Sequence, residues 1–216
     1  MTLELSKTLG GIGAILFIVA ALAFFVQPLL TLGLGFVGAL LMLFGLHGLA
    51  DYYKERSIFN NGLYGFIATI IGAIVTFAGF VYLFFYTSVI NDFVAVIYPG
   101  FTGDWSTLPN LTATTNLNPA DIVPFLGPIL SILVIMWIFL IIAAFFTWRS
   151  LKRVSAKSNV GLFGTAGLLL LAGAIIPVIG LVLMWIAVLL IAIAFFQIKP
   201  QIEQPMETMA PPPTKV

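Results

Sequence analysis

Long uncharged apolar runs, rather than alternating positions, dominate the chain: Thr8 to Ala50, Gly62 to Thr87, Pro124 to Thr147 and Val160 to Phe196. Crossing a bilayer core takes about 20 apolar residues of helix. The first run, roughly 43 residues or about 64 Å of helix, must therefore fold back on itself. Gln27-Pro28 near its middle marks the break, because proline lacks an N–H and disfavours helix at the residue before it. The last run breaks at Pro177-Val178-Ile179-Gly180 for the same reason. The pattern predicts an all-α polytopic membrane protein with six spans, at 8–26, 29–50, 62–87, 124–147, 160–176 and 181–196. A long loop, 88–123, joins the third and fourth. Residues 1–200 form one membrane domain and 201–216 a Pro-rich tail ending in Pro211-Pro212-Pro213. Gly10-Gly11-Ile12-Gly13 before Pro28 and Gly161-Leu162-Phe163-Gly164 before Pro177 hint at two three-helix halves.

Charge sets the orientation. If the N-terminus is cytoplasmic, the inner segments hold Lys7, Lys54, Arg56, Arg149, Lys152, Arg153, Lys157, Lys199 and Lys215. The outer segments then hold only Asp92, Asp104 and Asp121, as the enrichment of cytoplasmic flanks in Lys and Arg requires. Both termini are then cytoplasmic. The N-terminus resembles a signal peptide, with Ala21-Leu22-Ala23 as a cleavage site, but the apolar run continues through Phe24-Phe25 into a second span. Retention is expected.

Composition agrees and narrows the chemistry. Of 216 residues, 61% are hydrophobic and 8% charged, and the mean hydropathy is +1.16. Soluble domains carry about 25% charged residues, so the expected setting is the cell membrane. Net charge is +1, which offers nothing to nucleic acid. With no Cys and one His, no thiolate or paired-histidine site can form within a chain. No catalytic, cofactor or metal residues are assigned, and the reading is non-enzymatic. The spans hold no Asp, Glu, Lys or Arg, which argues against ion-coupled carriers, proton pumps and voltage sensors.

Several groups stand out against that background. Gly65, Thr69, Gly72, Thr76 and Gly79 recur at 4, 3, 4 and 3 residues, a small-residue seam of the kind that lets helices approach closely in lipid. A sparser row, Thr31, Gly35, Gly38, Met42 and Gly45, lies on the second span. These two helices are expected to pack together, or one of them to face another subunit. A lipid-tail groove is the alternative. His47 precedes Asp51 by four residues, giving either a proton-sensitive pair or, as favoured, an interfacial histidine hydrogen-bonded to a neighbour.

Tyr52, Tyr53 and Trp148 suit the inner headgroup level, and Tyr86, Tyr98 and Trp105 the outer, while Trp137 should pack between helices. Asn110-Leu111-Thr112 is a glycosylation sequon on the outer loop. Arg149, Lys152, Arg153 and Lys157 form a basic cluster placed to meet anionic lipid headgroups, although the topology signal alone accounts for it. Asp92, Asp104 and Asp121 would hold a cation only if the loop gathered them. Because Val178 and Ile179 need cover, the loop is also expected to form an ordered cap over the 177–180 turn, with Phe93, Ile97, Tyr98, Phe101 and Trp105 facing it.

The segment Gly45-Leu46-His47-Gly48-Leu49-Ala50-Asp51-Tyr52-Tyr53-Lys54, followed by Ile58-Phe59-Asn60-Asn61 and Leu63-Tyr64-Gly65, resembles a family of archaeal membrane proteins. That family is catalogued as domain of unknown function 996. The resemblance implies a multi-span protein of an archaeal membrane and supplies no reaction. The expected role is a structural or accessory subunit that contacts membrane lipids and other membrane subunits or itself. A transporter or channel for a neutral or lipid-like molecule is the alternative.

Overall fold

A computed structural model describes residues 2–24, 26–114 and 118–200. The tail, 201–216, lies outside the described residues, as do residues 115–117 of the outer loop. The described chain forms seven α-helices: α1 (Leu3–Ala23), α2 (Pro28–Tyr52), α3 (Arg56–Phe85), α4 (Val89–Ile97), α5 (Pro119–Ser158), α6 (Gly161–Ile175) and α7 (Ile179–Gln197). A 3₁₀ turn covers Trp105–Asn110. Five helices are long and apolar enough to cross a membrane, while α6 has 15 residues.

The breaks fall where proline demands them: Pro28 opens α2 as its first residue, and Pro177 follows α6. The other boundaries reach further than the uncharged runs. α1 begins at Leu3, with the Thr2 hydroxyl accepting from the Leu5 N–H. α3 begins at Arg56 and not at 62, and α5 covers Pro119–Ser158 where 124–147 was expected. Charged residues end a membrane-buried stretch but not a helix, since Lys, Arg and Glu are good helix formers. α5 stops at Asn159, whose left-handed φ of 57° is one that asparagine tolerates.

Neighbour contacts run in a closed circuit, α1 to α2, α3, α5, α6, α7 and back to α1, with α4 resting on α3 and α5. The two glycine rows meet partners other than each other. A Cβ on Gly38 or Gly45 of α2 would press on the α1 backbone at Gly13 or Gly10, at 2.8 and 2.7 Å. On α3, Gly65 faces Ala143 and Thr147, Gly72 faces Phe139 and Gly79 faces Ile132, all on α5. The α3 seam thus belongs to the α3–α5 pair and the α2 row to the α1–α2 pair; α2 and α3 do pack together, as expected, but through other residues, Leu46 beside Gly62 and Phe36 beside Phe66. The row Ser6, Gly10, Gly13 on α1, the true partner of the α2 row, is as visible in sequence as the others. Within the proposed two-half repeat the glycines are used differently: Gly10 and Gly13 lie at close contacts with Phe195 and Met42, Gly164 lies beside Ser155, and Gly161 has open space around it.

The core lies at the end of the bundle that holds the start of α1 and the residue after α7, Leu3 and Ile198. Leu3, Leu49, Ile58, Leu151, Val154, Phe163, Ile191, Phe195 and Ile198 pack there, so that all six long helices of the circuit contribute. Phe195 is central: its ring meets Phe163 edge-on at 5.1 Å and lies where any side chain on Gly10 would stand. Burial thins toward the opposite end, where Leu29 is 72% and Leu32 70% exposed.

The 88–123 loop forms α4 and the 3₁₀ turn in its described parts but does not cap the α6–α7 turn. Phe93 of α4 packs edge-on against Phe125 of α5 at 5.4 Å, and buried Phe101 packs on Trp105. Val178 and Ile179 remain 80% and 67% exposed. The turn meets its backbone demands locally: the Ile179 N–H donates to Pro177 O at 2.8 Å, a γ-turn that holds Val178 at a φ of 66°.

Gly45→Ala should lower thermal stability in detergent, since its methyl would meet the Gly10 backbone. Gly33→Ala, with nothing within 4 Å, should raise it by up to about 1 kcal/mol through helix propensity. Equal responses at the two sites in a melting assay would refute the close α1–α2 packing.

Candidate functional site

The basic end gathers most of the polar side chains that sequence singled out. Its centre is the last two and a half turns of α5, which continue past the apolar span as an amphipathic helix. Ser150, Leu151 and Val154 are buried against the bundle, while Arg149, Lys152 and Arg153 face outward. The Ser150 hydroxyl donates to Ile58 O at 2.6 Å, tying this extension to the start of α3. That bond satisfies a buried hydroxyl.

The basic cluster divides in two. Lys157 turns to Glu55 in the α2–α3 connection, Nζ to Oε2 3.7 Å. The Ser57 hydroxyl donates to Glu55 Oε1 at 2.5 Å, and this bond, with Lys157 and Arg153 nearby, holds the Glu55 carboxyl below its usual range. Arg149, Lys152 and Arg153 instead line an open groove of about 390 Å³ with Phe145, Trp148 and Ala156. The Arg149 guanidinium lies 5.7 Å from the Phe145 ring centre, and Lys152 Nζ lies 5.2 Å from that of Trp148.

His47 Nε2 stands 3.6 Å from Asp51 Oδ2, beyond a good hydrogen bond, with both side chains about half exposed. The ring rests edge-on against Phe59 at 4.8 Å. An exposed pair of this kind contributes little to stability. Tyr53 is different. It is buried, its hydroxyl has no hydrogen-bond partner among the described residues, and burial with neighbouring Tyr52 pushes its pKa up to about 12.

On the far side of the bundle, Asp92, Asp104 and Asp121 are not brought together, and no acidic or histidine cluster suited to a metal occurs among the described residues. Asp104 accepts from both the N–H and the hydroxyl of Ser106, which lowers its pKa. Asn110 ends the 3₁₀ turn and is exposed. In the seam, the Thr69 hydroxyl donates to Gly65 O, while that of Thr76 is buried without a partner among the described residues. Trp137 packs between helices, its indole N–H donating to Ala174 O at 2.7 Å. That carbonyl lies in the last turn of α6, where intrahelical donors run out, so Trp137 caps the helix from α5. Sequence placed Trp137 between helices; its partner required the fold.

Five apolar helices of crossing length define a multi-pass membrane protein. A family model described as a protein of unknown function (DUF996) matches residues 34–189, and the chain belongs to that family. No curated protein and no solved structure gives a significant match.

Tyr53 supplies a pH test. Its folded pKa is raised above the ordinary 10.0, so its contribution is complete below about pH 10 and is lost as pH rises toward 12. Tyr53→Phe removes that alkaline loss together with an unpaired buried hydroxyl, and should leave stability at neutral pH unchanged or raise it by up to about 1 kcal/mol. In ultraviolet titration, the absorbance change that wild type shows and Tyr53→Phe lacks should come above pH 10, toward 12. A difference centred at pH 10 would contradict this burial.

Proposed function

We propose that the chain is a non-enzymatic component of the cell membrane that crosses it six times, with both ends cytoplasmic, and serves as a structural or accessory subunit of a larger membrane assembly. The observation that carries this reading is the packed basic end. Phe163, Phe195, Leu49, Ile58, Leu151 and Ile191 are each fully buried there and fill the space between the helix ends with hydrocarbon. A plug of that kind favours a structural role over an open path through the bundle at that end.

Two further features support the subunit role. The two polar contacts between distant helices described above, Ser150 to Ile58 and Trp137 to Ala174, satisfy backbone carbonyls. Leu29 and Leu32 at the start of α2 are exposed and Gly33 has nothing within 4 Å, which leaves a face with room for a neighbouring helix, from another protein or a second copy. The sixth crossing requires α6, about 22 Å long, to span with help from the turn that follows it. The shared core of Leu3 and Ile198 supports an even number of crossings.

Carriage of a neutral or lipid-like molecule is the second reading, favoured by the thinly packed outer half. It requires the plug to open. Purification in mild detergent at native expression separates the two: the subunit reading expects a stable complex with other membrane proteins or with itself. A lone monomer that moves a neutral or lipid substrate across vesicles would refute it.

Topology has its own assay, made clean by the absence of native cysteine. A cysteine at Ala113 should react with an impermeant thiol reagent in intact cells, and one at Ala156 only after permeabilisation. Labelling of both in intact cells would overturn the six-crossing arrangement. On the same reading, Asn110 faces the compartment where glycans are attached, and Asn110→Gln should abolish any glycan mass carried there.

A further inference from the structure

The outward face of α5 changes character within one turn. Ile138, Ile142 and Phe145 are exposed and apolar, and Arg149, Lys152 and Arg153 continue the same face at helical spacing. Side chains on a helix lean toward its N-terminus. On α5 that direction is toward the apolar span, whichever side of the membrane this end occupies. The three cations therefore lean back over the bilayer edge, and the geometry agrees: Arg149 reaches the ring of Phe145 and Lys152 that of Trp148, each one turn closer to the span. The rings line the stems and hold the charges in place.

Arg149 and Lys152 form no salt bridge among the described residues, whereas Lys157 is drawn aside to Glu55 and Lys7 to Glu4. What remains is a groove with Arg149, Lys152 and Arg153 on one side and the Phe145 and Trp148 rings toward the apolar span.

We propose that this groove binds the phosphate of an anionic phospholipid, with Arg149, Lys152 and Arg153 around the headgroup and the acyl chains along Phe145, Ile142 and Ile138. A guanidinium offers paired donors to phosphate oxygens, and Lys152 adds a compact charge. Trp148 stands at the interface, the depth at which its amphipathic ring is at home. The inference rests on the membrane-embedded reading but not on the subunit role. A protein that passes the thiol-labelling assay and shows no headgroup preference would refute the lipid site alone.

The test uses the full chain in a neutral detergent, titrated with phosphatidylglycerol, phosphatidylcholine or inorganic phosphate, with bound lipid counted by native mass spectrometry and stability followed by melting. Phosphatidylglycerol should bind at least about tenfold more tightly than phosphatidylcholine, since each interfacial cation contributes severalfold. That preference should shrink as salt rises. The variant R149Q/K152Q/R153Q should bring the two lipids to parity, while Arg149→Lys and Lys54→Gln should retain most of the preference. If the triple variant fails to fold, Arg149→Gln alone should still cut the preference severalfold.

Equal binding of the two lipids by wild type, or an undiminished preference in the folded charge variants, would overturn the site. Protection by inorganic phosphate as strong as by the lipid would assign the groove to a free anion and overturn the lipid assignment.

Discussion

The amphipathic extension of α5 is the interaction on which the rest of the bundle depends. Inside a bilayer, two apolar helices gain little from touching each other instead of lipid, because lipid tails are as apolar as leucine. Past the apolar span the solvent changes. Leu151 and Val154 share their turns with Arg149, Lys152 and Arg153, so that stretch of helix meets water and headgroups, where burying hydrocarbon is favourable at about 25 cal/mol per Å². The buried residues of the extension, Leu151 and Val154, share one core with Ile58, Val160, Phe163, Leu49, Phe195 and Ile198. A core with a hydrophobic drive thus forms at the membrane surface and gathers six helices whose outer halves have none.

Away from that surface, cohesion passes to close contact. Glycine lets α1 lie against α2 at Gly13 and Gly38, and α3 against α5 at Gly72 and Gly79. Each such contact joins two helices only, which is why burial falls off toward the outer end. Trp137 is the exception in kind: its indole N–H meets a carbonyl that the end of α6 leaves without an intrahelical donor, and so joins α5 to α6. Ser150 and Trp137 thus serve the architecture, in keeping with the proposed scaffold role.

The breaks at Pro28 and Pro177 and the glycine rows on α2 and α3 were legible from residue spacing, because proline and close packing act through local geometry. What spacing does not encode is partner choice. A row of small residues specifies that something approaches, not which helix, and here α3 turns to α5. The helix starts at Leu3 and Arg56 were missed because hydropathy reports the bilayer and not the helix. The cap over Val178 failed for a similar reason: covering an exposed turn was argued from cost, yet a γ-turn satisfies part of its backbone, and Phe93 and Phe101 find partners elsewhere. At the basic end the four cations were legible, but their division was not, since it depends on Glu55 coming within 3.7 Å of Lys157 across the α2–α3 connection.

Hydrogen exchange on the full chain in lipid nanodiscs tests the clamp most directly, because the extension of α5 is predicted to lie outside the hydrocarbon where a merely helical segment would exchange readily. The account predicts that the amides of Leu151, Val154, Ile58 and Phe163 exchange slowly, in step with one another, and that Leu151→Ala releases all four together. Rapid exchange at these positions while the apolar spans stay protected would contradict a core at the basic end, and with it the physical basis proposed for the bundle.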